Sequence, residues 1–140
     1  ETRNSTIRWM DVYSPKLEWM LKELSRMALE ANETVFKSDL FGFTENLQFT
    51  EYEEKGTYYD WHPDIGPGQN KRKVSIIVQL SDPRDYEGGE LELNNGKIEA
   101  LDKSQGTVIL FPSFLLHRVT ALTKGSRYSL VCWISGNAWR

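Results

Sequence analysis

The sequence predicts a mainly β domain, a double-stranded β-helix (jelly roll) with a helical layer on its N-terminal side. Three observations predict it. A single amphipathic stripe occupies the first quarter of the chain. Short runs rich in Val, Ile, Phe, Tyr and Thr follow from there to near the C-terminus. Turn signals bearing Gly or Asn separate those runs at regular intervals. One domain is expected across residues 1–140, with helical support over about 14–36 and the jelly-roll core over about 44–135.

Ser14-Pro15 reads as a helix start, with Ser as N-cap and Pro in the first helical position. Leu17, Met20, Leu21, Leu24, Met27, Ala28 and Ala31 recur at spacings of three and four, and the helix is expected to end near Asn32. The stripe carries no chemistry and predicts packing against a sheet. Strands are expected over 46–54, 57–61, 73–80, 90–93, 97–99, 107–112, 117–121 and 126–134. Asn95-Gly96 between two alternating runs predicts a hairpin. Residues 64–73 hold two Gly, one Pro and no apolar anchor after Ile65, and are expected as a mobile loop. The loops 64–73 and 82–89 are expected to frame the entrance to any site.

Composition excludes several classes. A net charge of −3 and a pI near 5.5 provide no footprint for nucleic acid. The basic group Lys71-Arg72-Lys73 accordingly reads as a solvated loop, and Glu51, Glu53 and Glu54 as strand-edge carboxylates. No run approaches the ~18 apolar residues of a membrane span. Cys132 stands alone in an apolar run, as a small buried hydrophobe in a protein of a reducing, cytoplasmic compartment. The chain opens at Glu1 without a signal region, as would a segment trimmed from a longer protein.

The chemistry centres on Tyr58–Asp64. His62 and Asp64 are two apart, so on an extended segment they point to one side. With His117, the only other histidine, they offer the two imidazoles and one carboxylate of a facial triad for non-haem Fe(II). In 126–134, alternation places Arg127, Ser129, Val131 and Trp133 on one face and Tyr128, Leu130, Cys132 and Ile134 on the other. A guanidinium on an otherwise apolar strand needs an anion, either an internal acid or a ligand carboxylate gripped by its planar fork. A 2-oxo dicarboxylate such as 2-oxoglutarate would satisfy Arg127 at one end and chelate iron at the other.

The stretches Tyr58–Asp64, LSDPRDYEGGELEL (80–93) and GTVILFPSFLLHRVTALTKGSRYSLVCW (106–133) resemble the Fe(II)/2-oxoglutarate dioxygenases of the prolyl 4-hydroxylase superfamily, and within it the PKHD-type hydroxylases. The resemblance implies His62, Asp64 and His117 as iron ligands and Arg127 as anchor of the distal carboxylate. It also implies Tyr52 and Ser129 beside the cosubstrate, Val119 as pocket lining with plain core packing as the alternative, and Trp133 as a wall of the iron pocket. Tyr59 matches a pocket tyrosine, with a plain core role as the alternative, and Ile77 joins the apolar lining. Relatives acting in animal oxygen sensing carry a second tyrosine where this chain has Gln79, which either points inward to the same carboxylate or faces water.

The implied reaction hydroxylates an unactivated C–H, most naturally on a prolyl residue of a peptide or protein, with release of succinate and CO2. Fe(II), 2-oxoglutarate and O2 would be required, with ascorbate as a supporting reductant. A small molecule or free amino acid is the alternative substrate. A jelly-roll module binding a metal or small anion without turnover, and a metal-assisted hydrolase, are the alternative functions.

Overall fold

The computed structural model describes residues 3–53, 56–68 and 71–137. In chain order the strands are β1 (Thr6–Met10), β2 (Leu40–Gly42), β3 (Leu47–Glu53), β4 (Tyr59–His62), β5 (Arg72–Gln79) and β6 (Tyr86–Gly88). They continue with β7 (Leu91–Asn94), β8 (Ile98–Ala100), β9 (Val108–Pro112), β10 (Leu116–Val119) and β11 (Leu122–Gly136). One α-helix, α1 (Glu18–Ala31), precedes all but the first of them.

The strands form two antiparallel sheets, the arrangement of a jelly roll. The larger runs β1-β3-β11-β5-β9, with β2 and β6 also pairing with β11. The smaller runs β4-β10-β7-β8. Period-two alternation divides the larger sheet into two faces with different tasks. Leu47 of β3, Val74 and Ile76 of β5, and Leu130, Cys132 and Ile134 of β11 face outward into one core cluster. Leu24 and Ala28 of α1 are buried there, and Leu17, Met20, Leu21 and Met27 pack against it. The stripe read from the sequence is therefore the underside of a helix laid across the sheet. Tyr52, Ile77, Val131 and their neighbours face the other way, towards Leu91, Phe111 and Val119 in a second cluster between the sheets.

The start of the helical layer follows Ser14-Pro15, although Ser14 makes no side-chain cap and the first turn is 3-10. Its end falls where expected, with α1 closing at Ala31 and the layer at Phe36. A π-helical turn continues α1 over Asn32–Phe36 until Lys37 takes a left-handed conformation (φ 49°). The side chain of Asn32 closes that end by accepting from Ser38 N and donating to Ser38 O.

Three strands were absent from the sequence expectation: β1, β2 and β6. Each finds its partner far along the chain, β1 on β3 and the other two on β11. The Asn95-Gly96 hairpin forms as expected, joining β7 to β8 with Gly96 at φ 100°.

Three surface readings are corrected. Arg72 and Lys73 are buried within β5, and Arg72 forms a two-pronged ion pair with Glu45 at 2.6 and 2.7 Å. Burial of the aliphatic stems against neighbouring strands outweighed the solvation expected of a charge run. Of the loop 64–73, residues 69–70 lie outside the described residues, as do residues 54–55 between the expected strands 46–54 and 57–61. The segment 82–89 contributes no residue to the wall of the cavity between the sheets: Asp82 caps a short turn at Pro83–Asp85 and β6 then pairs onto β11. Glu51 sits on an internal strand rather than an edge, and accepts from Tyr128 Oη at 3.0 Å.

Candidate metal centre

β4 and β10 are antiparallel neighbours in the smaller sheet, and His62 stands directly opposite His117 in their register. Cross-strand partners project to the same side, so both imidazoles enter the space between the sheets. Asp64 follows β4 by two residues, and its backbone N–H is held by Ser113 O at 2.8 Å. The ligand-type atoms of His62, Asp64 and His117 all lie within 4.8 Å of one another.

Hydrogen bonding fixes how these groups present themselves. His62 Nδ1 lies 2.6 Å from Asp60 O and His117 Nδ1 3.1 Å from Leu115 O. A carbonyl can only accept, so both Nδ1 atoms carry hydrogen and each ring turns its Nε2 inward. Those Nε2 atoms are 3.7 Å (His62) and 3.3 Å (His117) from the same oxygen, Asp64 Oδ1. The other carboxylate oxygen, Oδ2, is occupied: Ser75 Oγ donates to it at 2.5 Å and Trp133 Nε1 at 3.1 Å. Ser113 Oγ lies 2.9 Å behind Ser75 Oγ. Two imidazole Nε2 atoms and one carboxylate oxygen thus face one point, a set that a metal cation can share. Carbonyl-held Nδ1 atoms and a hydrogen-bonded carboxylate are the outer-shell pattern of metal ligands.

The electrostatics agree. Burial, with His117 beside it, pulls His62 down to about 4, so that ring is neutral at neutral pH. Burial alone would raise Asp64, but hydrogen bonds and charge from His117, with Ser75 and Trp133, bring it down to about 2. Asp64 is an anion at any physiological pH.

A cavity of about 220 Å³ opens from this cluster between the sheets. Of the residues singled out from the sequence, Tyr52, Tyr59, His62, Asp64, Ile77, His117, Val119, Arg127, Ser129, Val131 and Trp133 all line it. Arg127 is 1% exposed. Its Nη2 donates to Gln79 Oε1 at 2.9 Å, and its guanidinium carbon lies 5.1 Å from the Tyr52 ring centroid. Its Nε and Nη1 are buried with no hydrogen-bond partner, and among the described residues no carboxylate pairs with it. Of the two partners the sequence left open, the internal acid is the one the described residues do not supply.

Gln79 takes the inward of the two orientations the sequence left open, against Arg127. It neither faces water nor lines the cavity. It is buried behind Arg127, with Oε1 on the guanidinium and Nε2 donating to Asp102 O at 3.3 Å. The amide is thereby committed to the arginine and the backbone.

Several wall residues escaped the sequence reading: Arg3, Trp9, Gln48, Arg72 and Leu91. For Gln48 a signal existed, because it shares the inward face of β3 with Tyr52 by alternation. Arg72 lies over the Trp133 ring at 3.7 Å, bracing the indole whose N–H holds Asp64. Arg3 reaches the cavity only because the N-terminal segment crosses onto Tyr59, a contact with no local sequence signature.

Comparison with known proteins agrees with this geometry. Residues 47–135 match the model of the 2OG-Fe(II) oxygenase superfamily. A PKHD-type hydroxylase of Picosynechococcus sp. is 38% identical over 117 residues, covering 81% of this chain and 52% of the relative. Another, of Thermosynechococcus vestitus, is 39% identical over 94 residues, covering 63% of this chain and 42% of its own. The chain thus spans about half the length of the curated relatives it matches. Among solved structures, a Pseudomonas putida prolyl-4-hydroxylase superposes with a TM-score of 0.78 at 23% identity, over 98% of this chain and 74% of that one. A viral collagen prolyl hydroxylase from Paramecium Bursaria Chlorella virus-1 superposes with a TM-score of 0.72 at 22% identity, over 98% and 81%. These likenesses establish a shared fold. With the family match spanning the strands that carry the triad, the chain belongs to the 2OG-Fe(II) oxygenase superfamily.

Proposed function

We propose that this domain is an Fe(II)- and 2-oxoglutarate-dependent dioxygenase that hydroxylates an unactivated C–H, on a prolyl residue of a peptide or protein. The observation that carries the reading is the pairing of two unmet needs in one cavity. Three inward ligand-type atoms converge at His62, Asp64 and His117, and a buried guanidinium with two unpartnered nitrogens waits at Arg127. The donor set fits the group: two imidazoles and one carboxylate, with no thiolate, suit iron of the facial-triad type better than structural zinc.

His62 Nε2, His117 Nε2 and Asp64 Oδ1 would hold the metal. Ser75 and Trp133, by occupying Oδ2, keep Asp64 to a single ligating oxygen. Arg127 would take the distal carboxylate of 2-oxoglutarate in its fork, with Tyr52 and Ser129 beside it. Bound iron and 2-oxoglutarate supply the redox chemistry, in which O2 and the cosubstrate are converted to succinate, CO2 and a hydroxyl on the substrate. Ile77, Leu91, Val131 and Trp133 give the cavity an apolar wall that excludes water, so the polar contacts act in a low dielectric. The prolyl assignment is supported by kinship with PKHD-type hydroxylases and a fold shared with prolyl hydroxylases.

The test is succinate release with Fe(II), ascorbate and 2-oxoglutarate, screened across proline-containing peptides and free amino acids. Release stimulated by a prolyl peptide is expected. An absence of 2-oxoglutarate turnover with every substrate, in protein shown to be folded, would leave a binding module in its place.

A further inference from the structure

Among the described residues, a second cavity-lining arginine is also without an acid. Arg3 stacks on Tyr59, with its guanidinium carbon 3.7 Å from the ring centroid. Tyr59 stacks in turn on His62, with centroids 3.5 Å apart and planes within 6°. Arg3, Tyr59 and His62 therefore form a column that ends on a candidate metal ligand. On its far side Arg3 meets Gln48, whose amide oxygen accepts from Nη1 at 2.6 Å and Nη2 at 2.9 Å when the amide is turned to face donors. Arg3 Nε is buried and has no partner among the described residues. Among the described residues no carboxylate forms an ion pair with it.

The remaining charges of the cavity are accounted for. Arg72 is neutralised by Glu45. Under the proposed function, the metal and Arg127 together balance Asp64 and the two carboxylates of 2-oxoglutarate. Arg3 is the positive charge left over, in a partly desolvated wall where such a charge attracts an anion strongly. Its place two stacking layers from the His62 ring keeps such an anion near the candidate metal centre.

On these grounds, and resting on that function, we infer that Arg3 is a substrate-recognition residue. It binds a carboxylate that the substrate carries beside the carbon to be hydroxylated. The carboxylate could come from a free C-terminus at the target residue or from an adjacent acidic side chain, and both present the same planar pair of oxygens to the guanidinium fork.

Binding, read by calorimetry on the protein loaded with Mn(II) and 2-oxoglutarate in the absence of O2, tests this. The probes are matched pairs: N-acetyl-Ala-Pro as acid and as amide, and N-acetyl-Pro-Asp-amide against N-acetyl-Pro-Asn-amide. The carboxylate member of at least one pair is expected to bind about 10-fold or more tighter, and the responsive pair identifies the source. Arg3→Gln should bring the two members of that pair within about 2-fold. Gln48→Glu should do the same by supplying an internal acid to an intact Arg3, which separates lost recognition from a loosened N-terminal strand. Equal binding within both pairs by the parent protein, or a preference that survives both substitutions, would overturn the inference. Failure of the parent protein to take up Mn(II) and 2-oxoglutarate would instead remove the oxygenase reading and Arg3's role with it.

Discussion

Ser75 donates its hydroxyl to Oδ2 of Asp64 over 2.5 Å, from the middle of β5, eleven residues further along the chain. That bond and the one from Trp133 leave Oδ1 alone facing the two histidines. Outer-shell bonds of this kind orient a ligand, and their loss typically costs about 10- to 100-fold in metal affinity. Ser75→Ala and Trp133→Phe are each expected to weaken Mn(II) binding by that factor while the fold persists. Anaerobic titration followed by electron paramagnetic resonance would measure it, and unchanged affinity in both would remove the two residues from the centre.

Arg127 is expected to set the affinity for the cosubstrate. Arg127→Lys keeps the charge and loses the two-pronged geometry, so 2-oxoglutarate should bind about 10-fold or more weaker. Gln79→Leu should act through the arginine, since the Gln79 amide bridges Arg127 and Asp102 O. It should raise the KM for 2-oxoglutarate with a smaller effect on kcat. Equal cosubstrate affinity in parent and Arg127→Lys would take Arg127 out of the site.

Gly88 and Gly89 answer to the backbone. Both have positive φ, at 75° and 58°. A Cβ on Gly88 would lie 2.3 Å from Ala121 O, and one on Gly89 would lie 2.9 Å from Leu122 Cδ1 and 3.2 Å from Arg127 Cδ. Gly88→Ala is expected to cost about 2–4 kcal/mol, from strain plus a backbone clash that cannot relax. Gly66→Ala, with open space around it and no positive φ, should be near neutral. Denaturant unfolding of the two variants checks the contrast, and equal midpoints would contradict it.

Cys132 makes a pH prediction. Burial pushes its thiol from 9.0 up to about 12. The folded chain keeps this proton where the unfolded chain releases it. The stabilising contribution is therefore complete below about pH 9 and lost as pH rises from there towards 12. Native protein should resist a thiol reagent at pH 8 and react fully once denatured. Rapid labelling of the native protein would show that β11 is not packed as described.

Much of this site could be read in the chain because its parts lie on strands whose alternation is local. His62 and Asp64 on one segment, and Arg127 with Ser129, Val131 and Trp133 on another, were aimed correctly by period two alone. The stripe from Leu17 to Ala28 likewise predicted which face of α1 is buried. What was not legible depends on distant partners. Arg72 looked like part of a solvated cluster because its neutralising Glu45 is 27 residues away. β1 and its extension at Arg3 acquire meaning only when paired with β3 and Tyr59. Gln79 was ambiguous for the same reason, since alternation could turn it inward but could not supply Asp102 and Arg127 as its two partners.

The central claim is that three side chains from β4, its following turn and β10 hold one iron. Anaerobic Fe(II) titration of the parent protein beside Asp64→Ala and His117→Ala tests it most directly. The parent should saturate at one metal per chain, and each variant should lose that site while remaining folded by circular dichroism. Retention of the same stoichiometry and affinity by either folded variant would contradict the account.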